Sequence, residues 1–255
     1  MRTVRPLCFG LLFGCVGGQG ADQRTLGLGN GDGNEIPFSA AKLLIEHNAT
    51  DEDTGFQGFL DGEPWEHVDL VGPRGIQLTI EPRRGLNGLG LTELFFETNE
   101  PENAEIPIED VLAILPAGEY EWEGWSIEGV RMEGNATLTH AIPAGPEITS
   151  PLEGATVDPN NLTITWNAVP QTIDESDVEI VGYQLIVEKD LAALGLEPPR
   201  HGFSKPVFSV HVPAPTTSVT VSRQFLEPGT PYKFEVLALE ESGNQTLSSS
   251  AFETQ

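Results

Sequence analysis

The densest run of metal-ligating side chains in this chain is Asp51-Glu52-Asp53-Thr54-Gly55, followed closely by Asp61 and Glu63. Carboxylates at alternate positions before a glycine can place several oxygens around one hard cation, as in the opening of a calcium loop. Asp51, Asp53, Asp61 and Glu63 are therefore the candidate metal ligands, with Ca2+ the only cofactor that the sequence suggests. Gly62 stands where such a loop would place its closing glutamate, one residue before Glu63. The plainer reading, an acidic turn between two strands, is the one these residues favour.

Other constellations offer less. The five histidines, His47, His67, His140, His201 and His211, include no helical metal-binding pair, so hydrogen-bonded structural roles are expected. There is no Gly-x-Ser-x-Gly elbow, no Gly-x-Gly-x-x-Gly and no phosphate-binding loop, which removes several enzyme classes. Glu119, Glu121, Glu123 and Glu128 lie near aromatics, as in a glycosidase, but their alternation marks one solvated strand face. Trp65, Trp122 and Trp125 could stack on sugar rings if exposed; Trp122 is expected in the core and Trp125 is left open. Asn48, Asn135, Asn161 and Asn244 stand in Asn-x-Thr sequences, which matter only in a glycosylating secretory pathway. No catalytic residue is assigned, and the protein is read as non-enzymatic.

Composition narrows the partners. Thirty-nine acidic against 13 basic residues give a formal net charge of −26, a surface that repels nucleic acid. Twenty-eight glycines and 20 prolines without a repeat suit a turn-rich, all-β chain. Alternating apolar residues recur along it. Leu43 and Ile45, then Phe56 to Leu60 closed by Asp61-Gly62, predict early strands. Trp65 to Val71 and Ile76 to Ile80 flank Gly72-Pro73-Arg74-Gly75, a predicted hairpin. Pro107 followed by Glu109 and Asp110 predicts one short helix over Ile108 to Leu115. The spacing implies two tandem β-sandwich-like domains, at 41–143 and 144–255, behind a Gly- and Asn-rich flexible tether at 16–40. Pro143-Ala144-Gly145-Pro146 is the expected hinge, limiting the angle between domains without fixing it.

The first 15 residues carry an address. Arg2 and Arg5 precede the apolar run Leu7 to Phe13, the pattern of an export signal. Leu12-Phe13-Gly14-Cys15 resembles a bacterial lipobox, although Phe13 is bulky for its position. That resemblance implies cleavage before Cys15 and a lipid on its thiol, hence a membrane partner and a cell-envelope location. An ordinary secretory signal, cut near Gly20, would instead leave a soluble secreted protein. Cys8 and Cys15 are the only cysteines, so the mature domains are expected to fold without disulfides.

Residues 146–255 resemble a fibronectin type III domain. The residues that carry the resemblance are Trp166, Tyr183 and the run from Leu226 through Pro228-Gly229 to Tyr232, Phe234 and Val236. It implies an immunoglobulin-like sandwich with Trp166 in the core, Leu226 plugging one end and Tyr232 forming a tyrosine corner. The insert Leu191 to Lys205 departs from the family, and Glu240 to Thr246 contains no Arg-Gly-Asp. Residues 41–143 resemble a domain that precedes such modules in exported bacterial proteins, on Asn48-Ala-Thr50-Asp51, Leu60 to Trp65, Gly90 to Phe95 and Ala136 to His140. That resemblance implies lineage and architecture, not activity. The expected function is a binding or spacer module on the cell envelope, facing an unknown protein or glycan. The alternatives are a polysaccharide-acting enzyme or accessory subunit, with carboxylates in the first domain, and a calcium-stabilised adhesin.

Overall fold

A computed structural model describes residues 35–197 and 206–255. The expected export signal, the expected lipidation site Cys15, most of the expected tether, His201 and the end of the insert lie outside these residues. The first domain comprises β1 (Ile36–Pro37), β2 (Ala40–Asn48), β3 (Asp53–Gly72), β4 (Gly75–Ile80), β5 (Leu91–Glu97), α1 (Ile108–Leu112), β6 (Gly118–Ser126) and β7 (Arg131–Leu138). The second comprises β8 (Ile148–Ser150), β9 (Ala155–Val157), β10 (Thr163–Trp166), β11 (Ile180–Lys189), β12 (Val207–Pro213), β13 (Ser218–Thr220), β14 (Pro231–Glu240) and β15 (Gln245–Thr254). The described residues are all-β apart from α1 and a 3-10 turn at Arg84–Leu86, as the apolar alternation implies.

The long strand β3 organises the first domain. Its first half pairs with β2 and β5, and its second half with β4 and β6. The registers shift between Asp61 and His67, so one strand serves two ladders that enclose a core. Asp61-Gly62, expected to close a strand, is instead part of this continuous strand. A Cβ at Gly62 would lie 2.8 Å from the Phe38 ring, so glycine admits that core side chain. Leu43, Ile45, Phe56, Leu60, Trp65, Tyr120, Trp122 and Met132 fill the core from alternate strand positions. The chain joins this domain ahead of the expected boundary at residue 41. Ile36–Pro37 pair with β7, and Phe38 is buried. So short an apolar segment leaves no readable period beside the polar tether.

In the second domain a three-stranded sheet, β13-β10-β8, packs its apolar side chains into one cluster with those of β11, β14 and β15. Trp166 and Tyr183 meet at 5.5 Å between ring centroids, and the Tyr183 hydroxyl accepts the Val169 N–H at 2.9 Å. Leu226 is buried, and Gly229 takes the positive φ of 61° that the Pro-Gly turn requires. The Tyr232 hydroxyl accepts the Glu227 N–H at 2.8 Å and donates to the Phe225 carbonyl at 3.4 Å, completing the corner.

The junction differs from the expected hinge. β15 pairs in parallel with β2, Gln245 opposite Glu46 and Leu247 opposite Asn48, so one hydrogen-bonded sheet runs from the first domain into the second. The Pro143 carbonyl accepts the Thr246 hydroxyl at 2.6 Å, and Ala144 N–H bonds the Gln171 carbonyl at 2.9 Å. A Cβ at Gly145 would lie 2.4 Å from Ala49 Cβ, so the connecting segment itself is packed. The prolines stiffen a connection whose angle the β2–β15 ladder fixes.

Candidate functional site

On strand β3 the side chains of Asp53, Gln57 and Asp61 share the face opposite the core. Over Asp53 to Asp61 that strand pairs with β2 without a register break. Asp53 and Asp61 therefore stand about 26 Å apart at the usual rise per residue, too far to hold one ion. Asp51 is exposed in the β2–β3 turn, where its carboxylate accepts the Asn48 amide at 3.1 Å. Glu63 is exposed beyond the bend. The expected set Asp51, Asp53, Asp61 and Glu63 is thus not brought together. Separation along an extended strand is the physical reason.

A different set converges around Asp53. Glu46 on β2, Glu97 at the end of β5 and Glu100 just beyond it each bring a carboxylate oxygen within 4.8 Å of the other two. The strands dictate this. Glu46 lies opposite Gly55, and Glu97 opposite Gln57, so all four positions share one sheet face. The segment after β5 then folds back over β3. Thr98 receives the Phe56 N–H on its hydroxyl at 2.9 Å, and Asn103 N–H bonds the Glu52 carbonyl at 2.7 Å. Glu100 is laid over Gly55, where a Cβ would come within 2.6 Å of Glu100 Cγ. Glu46 is only 3 % exposed and accepts a hydrogen bond from the Gln245 amide of the second domain. The cluster therefore sits at the seam between domains.

Crowding of like charges away from water raises these carboxyls. Burial, assisted by Glu97 and Glu235, pushes Glu46 up to about 7. Burial with Asp51 and Glu102 pushes Asp53 up to about 6, and burial with Glu46, Glu97 and Asp53 pushes Glu100 up to about 9. Burial raises Glu97 as well. The folded state thus holds these protons more tightly than the unfolded chain, whose carboxyls titrate near pH 4. Their contribution to stability is fully present below that range and is lost as pH rises through about 6 to 9. In chelator, the melting temperature is expected to fall by several degrees between about pH 5 and pH 9. A melting temperature that stays flat or rises across that window would contradict this arrangement.

A second feature lies on the outer face of the first domain. His67, Asp69, Glu123, Gly124, Trp125 and Arg131 line a surface hollow. Trp65 and Trp122 are fully buried, whereas Trp125 is 49 % exposed. Asp69 accepts bonds from the Thr79 hydroxyl at 2.5 Å and from His67 at 3.1 Å, which together with the His67 charge outweigh its burial and lower its pKa. Glu123 pairs with Arg131 at 3.4 Å. A general acid needs the opposite environment, one that keeps its proton at neutral pH. His47 and His140 have structural partners. His47 Nδ1 lies 2.9 Å from the Thr54 hydroxyl, and His140 Nε2 lies 3.0 Å from the Leu115 carbonyl.

The β14–β15 turn, in the position where the expected sandwich could present a loop, contacts the first domain instead. Asn244 Oδ1 accepts the Ile45 N–H at 2.9 Å, and its Nδ2 donates to the Thr139 and Ala141 carbonyls at 3.1 Å each. Asn244 is 1 % exposed, so its Asn-x-Thr sequence is a packing device here.

Comparison with known proteins supports the C-terminal assignment. Residues 148–254 match the family model of the Fibronectin type III domain. No curated protein matches the chain. Among solved structures, the chicken CNTN1 FN1-FN3 domains are similar at 12 % identity and a TM-score of 0.31, over 87 % of this chain and 65 % of that one. The chain therefore spans just under two thirds of that structure. The human OSCAR ligand-binding domain is similar at 12 % identity and a TM-score of 0.27, over 84 % of this chain and 97 % of that one.

Proposed function

We propose that this protein is an exported, lipid-anchored, non-enzymatic module of the cell envelope that presents a ligand-binding face away from the membrane. The observation that carries this reading is the shared β2–β15 ladder at a packed connection. Two sandwiches joined in this way hold a surface at a set orientation, which suits a spacer or binding module better than a hinged one. The lowered carboxyl of Asp69 and the pairing of Glu123 with Arg131 argue against a glycosidase acid–base pair beside Trp125. The ring of Trp125, flanked by hydrogen-bonding side chains, has the chemistry of a face that stacks on a sugar or packs against a protein side chain. The export signal and Leu12-Phe13-Gly14-Cys15 supply the anchoring half of the proposal.

Cys15→Ser tests the anchor. The variant is expected to leave the membrane fraction and to lose labelling by a fatty-acid analogue, while unchanged partitioning would overturn the lipid anchor. Glycan and protein arrays probed with the same protein test the binding half. A ligand found there should be lost from Trp125→Ala with the melting temperature unchanged. Retention of every ligand by that variant would remove the Trp125 face from the proposal.

A further inference from the structure

The seam between the domains carries a second inference, independent of what the outer face binds. We propose that Glu46, Glu97 and Glu100, with Asp53 beside them, bind one calcium ion at this seam. Calcium takes oxygen ligands at 2.3–2.6 Å, so two ligands of one ion lie no more than about 5 Å apart. The three glutamates already offer oxygens within 4.8 Å of one another. Magnesium, with ligands at about 2.1 Å and a demand for octahedral order, would require a tighter cage.

Two buried atoms point to a missing partner. Asp53 Oδ1 is out of contact with water and accepts no hydrogen bond. Gln57 is 1 % exposed, and its Nε2 likewise makes none, although this amide lies against the Glu46 carboxylate. A buried polar atom left without a partner is costly, and a native fold tolerates few of them. With its amide turned end for end, Gln57 would aim Oε1 at the carboxylates. It would give up the 3.4 Å contact with Gln245 and the approach of its NH2 group to Glu46, which lowers that carboxyl, and would gain a cation as partner. Gly55 supplies the room, since any side chain there would displace Glu100. The cluster is anchored from both domains, Glu46 through Gln245 and Glu100 through the Thr98–Asn103 segment. An ion bound to it would therefore tighten the β2–β15 seam by mass action.

The test is calcium chloride titrated into the purified full-length chain at about pH 8, after removal of chelator, read by calorimetry and by thermal melting. A single site is expected, with a Kd of about 0.1–1 mM, typical of extracellular modules, and a melting temperature that rises until the site saturates. Magnesium chloride at the same concentration should shift it less. Glu97→Gln and Glu100→Gln should each weaken calcium binding about tenfold or more, the loss expected when one charged ligand of a hard cation is neutralised. Both should melt higher than the native protein in chelator, because each removes a carboxyl whose ionisation the buried cluster resists; that melt also establishes that they are folded. Asp61→Asn with Glu63→Gln should leave the calcium response unchanged. No heat and no melting shift up to about 10 mM calcium, well above the Kd range of such sites, would overturn the proposal. So would a shift of equal size in the Glu97→Gln/Glu100→Gln double variant, which would assign it to the acidic surface at large.

Discussion

Asn244→Ala is expected to destabilise the protein by about 4 kcal/mol, because one side chain closes the junction from both sides. Its truncation strips the partner from the buried Ile45 N–H and from the Thr139 and Ala141 carbonyls. Each buried group left unpaired costs about 1–3 kcal/mol. The loss acts on the contact between domains, so the urea transition should move to lower denaturant and lose steepness as the two domains begin to unfold separately. Asn244→Asp discriminates further. It keeps an acceptor for Ile45 but turns a carboxylate toward two carbonyl oxygens, close to Glu240, whose carboxylate already accepts the Asn244 N–H at 3.0 Å. It should be at least as damaging as alanine. A single steep transition at the native midpoint in Asn244→Ala would mean that the β2–β15 ladder holds the seam without this residue.

Trp122→Ala should cost about 3–5 kcal/mol, the range for deleting a fully buried large aromatic. Trp122 is wholly buried and lies 6.2 Å from the Phe96 ring, which in turn occupies the space over Gly58. Trp122→Phe should cost much less than alanine. It retains most of the ring and also removes an indole N–H that has no hydrogen-bond partner in the fold. Chemical denaturation of both variants checks the order. Equal losses would show that volume alone does not account for the site.

The second domain was the most legible part of the sequence. The resemblance rests on Trp166, Tyr183, Leu226 and Tyr232, all of which are buried, and the Tyr232 hydroxyl accepts the Glu227 N–H. The hairpin at Gly72–Gly75 and the short helix after Pro107 were equally readable, because turns and helix starts are written in neighbouring residues. The acidic face of β6 was readable too, since Tyr120 and Trp122 alternate with exposed or half-buried glutamates. The bend in β3 was not. Asp61-Gly62 looks like a turn, and whether a strand ends or bends there depends on Phe38 packing against it from elsewhere.

The candidate cation site marks the limit of such reading. The sequence determines that the protein is acidic, that its strands alternate, and that Asp51, Asp53, Asp61 and Glu63 are close along the chain. Closeness along the chain became distance in space once β3 ran extended through them. Glu46, Glu97 and Glu100 carry no local signature; each is a polar residue at or just beyond a strand, where solvent would be the ordinary neighbour. Only the pairing of β3 with β2 and β5, the return of the Thr98–Asn103 segment and the docking of Gln245 from the second domain bring them together and bury them. Local propensity and periodicity act over a few residues and so are written in the sequence. Strand pairing acts across the whole chain, and tertiary structure alone decides which charges it forces to share a site.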